Sequence, residues 1–191
     1  MSSGRVLKLI AAIGLLLLLG SPSWAEPPIV NYPVTRAPLR SPASGPEVLF
    51  KDFGLQPDGI HDLRLLLRRP GGRVEPLHSF MRNVDVSWAP NGRWLFISDA
   101  VGSNLAECLV ADTSGGTVRK RSMTEAITKI AAPTFRRQLL HGDHVYVACT
   151  RWLSPRQVEV RMYGDLFPNR FDHRFVYDVR TGSLRSARPA P

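Results

Sequence analysis

Cysteine is almost missing from this chain: 191 residues contain only Cys108 and Cys149. So few thiols exclude a disulfide-dense scaffold and an all-thiolate metal centre, and they leave room for a single bridge. Lysine is scarce too. Beyond residue 25 only Lys51, Lys120 and Lys129 remain, so the positive charge is carried by arginine, the side chain suited to bidentate contacts with phosphate and carboxylate. There is no Asn-X-Ser/Thr sequon, which leans toward a bacterial periplasm over a eukaryotic secretory route. No Gly-X-Ser-X-Gly elbow, His-Glu-X-X-His motif or phosphate-cradling loop occurs, so the common hydrolase and nucleotide-binding signatures are excluded. No long apolar run is present either. The stretch Leu9 to Gly20 is short of the roughly 20 residues that a spanning helix needs.

What precedes and follows that stretch gives it a meaning. Arg5 and Lys8 stand before it and Ser23-Trp24-Ala25 after it, the pattern of a secretory signal peptide over residues 1–25 with cleavage before Glu26. No cysteine lies near that point to carry a lipid. A periplasmic or secreted protein with no integral membrane segment after processing is therefore expected. Removing Arg5 and Lys8 takes the formal charge from +9 to +7. In that compartment the anionic partners are acidic proteins and envelope components, and nucleic acid is disfavoured by location. The arginines form no run longer than two and read first as a scattered, solvated set. Residues 26–46 carry Pro27, Pro28, Pro33, Pro38, Pro42 and Pro46, which predicts an extended arm unable to supply central strands. Residues 47–191 are long enough for one β domain with a real core.

The strongest structural signal is Val84-Asp-Val-Ser-Trp-Ala-Pro-Asn-Gly-Arg-Trp-Leu-Phe-Ile-Ser-Asp99. Alternating apolar strands meet at an Asn-Gly turn, and a second hairpin follows through Cys108 to Asp112 and Gly115-Gly116. The same strand, polar turn and strand recur at Leu65 to Val74, Cys108 to Val118 and Phe175 to Leu184. Gly71 and Gly115 are 44 residues apart, a blade-like period, whereas Gly115 to Gly182 spans 67, which requires an insertion. Residues 84–121 resemble the repeats of TolB-type β-propellers, with Ala89-Pro90-Asn91-Gly92 standing where that family has a Ser-Pro-Asp-Gly turn. The resemblance implies an all-β fold of propeller-like antiparallel blades. About three units are present, too few to close a ring. The open sheet edges of such an incomplete propeller invite homo-oligomerisation unless something covers them.

One short α-helix is expected as a cover. Ser122-Met-Thr-Glu125 has capping-box spacing, and Met123, Ala126, Ile127, Ile130 and Ala131 fall at helical intervals before Pro133. Further strands are predicted at His144 to Trp152, Gln157 to Tyr163 and Arg174 to Val179. Cys108 alternates with Val110, and Cys149 follows Val145 and Val147, so both cysteines face a core where they either bond or pack. Trp88 and Trp94 flank the Asn-Gly turn as core anchors.

Two functional classes compete. The enzyme reading, a metal-assisted hydrolase, rests on His141, His144 and Asp172 with their neighbours Asp143, Asp165 and His173, none of them at a recognised ligand spacing. His61, Asp62 and His78 are polar residues beside strands and add little. The favoured reading is a binding module with no cofactor. In propellers of the resembled type, partners engage a face built from loops; carried onto this sequence, that face holds Asp58, Arg82, Asn83, Asp99, Asn104, Arg151 and Trp152. Trp152, beside Arg151 and before Ser154-Pro155, is expected to be exposed and to anchor a protein or anionic partner. An inhibitor of lysozyme is disfavoured, because it would oppose a basic target with acidic residues.

Overall fold

The computed structural model describes residues 25–130 and 132–187. Residues 1–24 of the expected signal segment 1–25 lie outside them. Among the described residues, the chain forms three groups of antiparallel strands and two short helices. The first group is β2 (Leu39–Arg40), β3 (Glu47–Leu55), β4 (His61–Arg68) and β5 (Val74–Phe80), paired in that order. The second is β6 (Val84–Trp88), β7 (Trp94–Asp99), β8 (Leu105–Asp112) and β9 (Arg119–Ser122), with β1 (Val30–Tyr32) added beside β6. Helices α1 (Met123–Ile130) and α2 (Pro133–His141) then lead to the third group, β10 (Asp143–Ser154), β11 (Gln157–Leu166), β12 (Asn169–Asp178) and β13 (Leu184–Ser186).

The two-residue period of the strands explains why these groups stack. Leu63, Leu65 and Leu67 alternate on β4 and turn one face inward, leaving Arg64 and Arg68 on the other. Strand β7 is buried along its whole length because its two faces serve two different cores. Leu95 and Ile97 pack with Leu65, Leu67, Leu77, Val86 and Trp88 of the first two groups. Trp94 and Phe96 pack with Val147, Cys149, Val158, Val160 and Phe175 of the third, together with Met123 and Ile127 of α1. Full burial of each such side chain stabilises the fold by about 1.5–3 kcal/mol, so the second sheet is held from both sides.

Strand β10 ties the third sheet to the second. It begins in parallel register with β8, Val145 opposite Leu105 and Tyr146 opposite Ala106. It then crosses the sheet: the Cys149 amide donates to Ser98 Oγ on β7 at 3.2 Å, and Trp152 Nε1 donates to the Ser87 carbonyl on β6 at 3.1 Å. Cys108 and Cys149 are joined in a disulfide with Cα atoms 5.4 Å apart, inside the range a bridge requires.

Cross-turn hydrogen bonds define one end of the stack. Asn91 Nδ2 donates to the Pro155 carbonyl at 3.0 Å, Ser41 Oγ to the Gly92 carbonyl at 3.1 Å, and the Val179 amide to the Arg156 carbonyl at 2.9 Å. Gly92 has φ +65°, and a Cβ there would run into the Ser41 hydroxyl and lie 2.9 Å from Ala43 Cβ. The Asn-Gly turn is therefore required both for backbone sign and for space.

Several expectations need correction. Among the described residues there are two helices, not one, since Pro133 opens α2 at its first position, where the missing amide costs nothing, instead of ending the helical region. The strands predicted at Gln157 to Tyr163 and Arg174 to Val179 are longer than expected; β11 and β12 run on to a tight turn at Phe167-Pro168. The proline-rich segment turns at residues 33–34 and 42–43, and two proline-free stretches of it dock as β1 and β2, burying Tyr32 and Leu39. No sheet closes on itself among the described residues.

Candidate anion-binding site

The residues expected to share one face are divided between the two ends of the stack. Asp58, Arg82, Asn83, Asp99 and Asn104 lie at the end formed by the β3–β4, β5–β6 and β7–β8 connections. Arg151 and Trp152 sit at the opposite end of β10, next to the β10–β11 turn. Local bonds occupy several of these groups. Asp58 accepts the Ile60 amide at 3.0 Å and shapes its turn, and the Asn83 carbonyl accepts the Ala100 amide at 3.1 Å. Asp99 is buried with Oδ2 2.7 Å from His78 Nε2. Arg82 and Asn104 are exposed.

Trp152 is buried, 6% exposed, and stacks on Phe96 with ring centroids 6.0 Å apart. This overturns the exposed anchor. The cause is a β-bulge: Cys149 faces Val160 and Arg151 faces Glu159, so β10 spends two residues where β11 spends one. Straight alternation after Val145, Val147 and Cys149 would turn Arg151 inward and Trp152 outward. The extra residue reverses that parity. Arg151 instead lies over Glu159 at 3.4 Å, a buried carboxylate that also accepts from Arg174 and Thr150.

The residues of the enzyme reading are not brought together as a ligand set. Arg161 holds Asp172 through Nε at 2.8 Å and Nη2 at 2.7 Å, and this fork keeps the Asp172 carboxyl below its ordinary range. His144 pairs with the adjacent Asp143 at 3.2 Å, while His141 ends α2. His173 is wedged among Phe135, Phe171 and Phe175, where burial lowers its basicity. Among the described residues no group of three or more His, Cys, Asp or Glu is placed to hold a metal.

A different constellation forms at the turn end. The β6–β7, β10–β11 and β12–β13 turns and the adjoining strand β9 surround an open cavity of about 670 Å³, and each delivers arginine to it: Arg93, Arg156, Arg180, and Arg119 with Arg121. One carboxylate, Asp112, stands among five guanidinium groups. The floor is Trp94, 6% exposed, with the guanidinium carbons of Arg93 and Arg121 at 5.2 Å and 5.7 Å from its ring centroid. Cation–π attraction at these distances fixes both arginines against the wall.

The charge of this basin is only partly compensated. Arg93 is matched by Asp112, with Nη2 2.9 Å from Oδ2. Burial alone would raise the Asp112 carboxyl, but Arg93 and the hydroxyl and amide of Ser114 outweigh it and bring the pKa down to about 2. The pair therefore contributes fully above the usual carboxylate range and is lost only as pH falls through that depressed value. Arg121 spends Nη1 on neutral acceptors, the Val179 carbonyl at 2.9 Å and Tyr177 Oη at 3.2 Å. Among the described residues, Arg119, Arg121, Arg156 and Arg180 make no salt bridge. The Thr181 amide does most to lower the Asp178 carboxyl, with the Arg180 amide beside it on the same oxygen, both at 2.9 Å, and the charge of Arg156 adds to this.

None of these five arginines was singled out from the sequence, where they look scattered. The missed signal is positional: Arg93 follows Asn91-Gly92, Arg119 follows Gly115-Gly116, Arg156 follows Ser154-Pro155, and Arg180 precedes Gly182. Successive hairpins of an antiparallel stack return their turns to the same end, so turn-associated charges gather there. Comparison with known proteins finds no family model and no curated protein that matches the chain.

Proposed function

We propose that this chain is an exported binding module of TolB-type blade-like units whose arginine-lined end takes an anionic partner. The observation that carries the reading is the concentration of five arginines against one aspartate around a single concavity. The intramolecular ion pairs that consume arginine elsewhere, such as Arg69 with Glu75 and Arg161 with Asp172, are missing for four of the five among the described residues. Side chains left with spare guanidinium donors and held at the rim of a cavity favour recognition of oxyanions. The blade reading is supported by three successive antiparallel units stacked face to face. Export is supported by the disulfide, which suits an oxidising compartment, and no helix among the described residues is long and apolar enough to cross a membrane.

Two measurements test this. Protein recovered from the cell envelope should have an intact mass corresponding to a mature N-terminus at Glu26; a species retaining Leu9 to Gly20 would remove the export argument. Immobilised poly-glutamate and polyphosphate should both retain the protein in a salt-sensitive manner, and Arg156→Ala with Arg180→Ala should weaken retention at least tenfold. Retention unchanged by that double substitution would place anion binding elsewhere or deny it.

A further inference from the structure

Resting on the reading of the basin as an anion site, the geometry points to its ligand: a small anion carrying two phosphoryl groups, a diphosphate or a compact bisphosphate. We infer this from how the arginines without salt bridges are distributed. They form two pairs, one on each of the two sheets that wall the basin. Arg156 and Arg180 belong to neighbouring turns of the third sheet, joined directly by the bond from the Val179 amide to the Arg156 carbonyl at 2.9 Å. Arg119 and Arg121 are alternate residues of β9 on the second sheet and so point to the same side of that strand.

Each wall thus presents a pair of guanidinium groups, and each guanidinium can fork onto two oxygens of one tetrahedral oxyanion. A single phosphate matches the charge of one pair and leaves the other pair uncompensated. Two linked phosphoryl groups satisfy both. The cavity of about 670 Å³ falls in the range of small-molecule sites and not of the flat patches that bind macromolecules. The fixed positions of the walls reinforce the choice. Arg121 is anchored on Trp94 and bonded across to the third sheet through Val179 and Tyr177, so the two walls are held relative to each other before a ligand arrives. Arg93 and Asp112 close the side with a neutralised pair, and Asn91 adds a polar side chain near the rim.

The test is calorimetric titration of the mature protein with inorganic diphosphate, orthophosphate and citrate, in the presence of a chelator. Diphosphate should bind at least tenfold more tightly than orthophosphate or citrate. Arg156→Ala and Arg119→Ala should each lower diphosphate affinity tenfold or more, because each breaks a different wall, and each should narrow the preference over orthophosphate. Arg136→Ala, on the exposed face of α2, should change nothing. Circular dichroism confirms that the exposed arginine variants stay folded. Equal affinity for diphosphate and orthophosphate, or tighter binding of citrate, would overturn the diphosphate assignment while poly-glutamate retention kept the anion-binding function. No binding of any anion, polymeric or small, would overturn both.

Discussion

Trp152→Ala is expected to destabilise the fold by about 3–5 kcal/mol, the usual cost of truncating a buried Trp, and to lower the melting temperature by roughly 10 °C. The side chain is 6% exposed, stacks on Phe96 and donates its indole hydrogen to the Ser87 carbonyl. Removing it opens a cavity between the second and third sheets and leaves a buried carbonyl without its donor. Arg151→Ala should behave differently. Its guanidinium is half exposed and Glu159 keeps Arg174 and Thr150, so the loss should not exceed about 1 kcal/mol. Denaturant melts of the two variants decide the matter. A Trp152→Ala protein that melts like wild type would show that the indole does not hold the sheets together.

Trp152 also shows what the sequence conveys and what it hides. The hairpins around Asn91-Gly92, Gly115-Gly116 and Gly182 were legible because their turn residues and flanking alternation are local signals, and the all-β class followed from them. The inward faces of Cys108 and Cys149 were legible for the same reason. Parity beyond Cys149 was not, since nothing in Thr150-Arg151 announces the bulge that sends Trp152 inward. The second helix was hidden by Pro133, which can end one helix or begin another. The basin was hidden more deeply. Its arginines are spread over 88 residues, from Arg93 to Arg180, and only the return of successive turns to one end of the stack assembles them. By the same logic the expected face failed: Asp58, Arg82 and Asn104 belong to connections at one end, Arg151 to the other.

Reduction of the Cys108–Cys149 bond is expected to be the second large effect, a loss of about 4 kcal/mol. The bond closes a loop of 41 residues, and the chain-entropy cost regained by the unfolded state rises slowly with loop length to about that figure. Its position makes the loss matter for the fold. The direct backbone ladder between the second and third sheets is only two residue pairs long, Val145 with Leu105 and Tyr146 with Ala106; the disulfide clamps β10 just beyond it, where the strand leaves β8 to cross the face. Urea titrations with and without a reductant should show a lower midpoint for the reduced protein, and Cys108→Ala with Cys149→Ala should match the reduced state apart from the cost of two small cavities. The basin gives this prediction a functional arm. Arg156 and Arg180 ride on the third sheet and Arg119 on the second, so loosening the clamp widens the spread of distances between the walls. Under conditions where the reduced protein is still folded, its affinity for diphosphate should fall several-fold while orthophosphate binding, which needs one wall, stays within twofold. Identical urea midpoints in the oxidised and reduced states would show that the two sheets are held by their shared core alone.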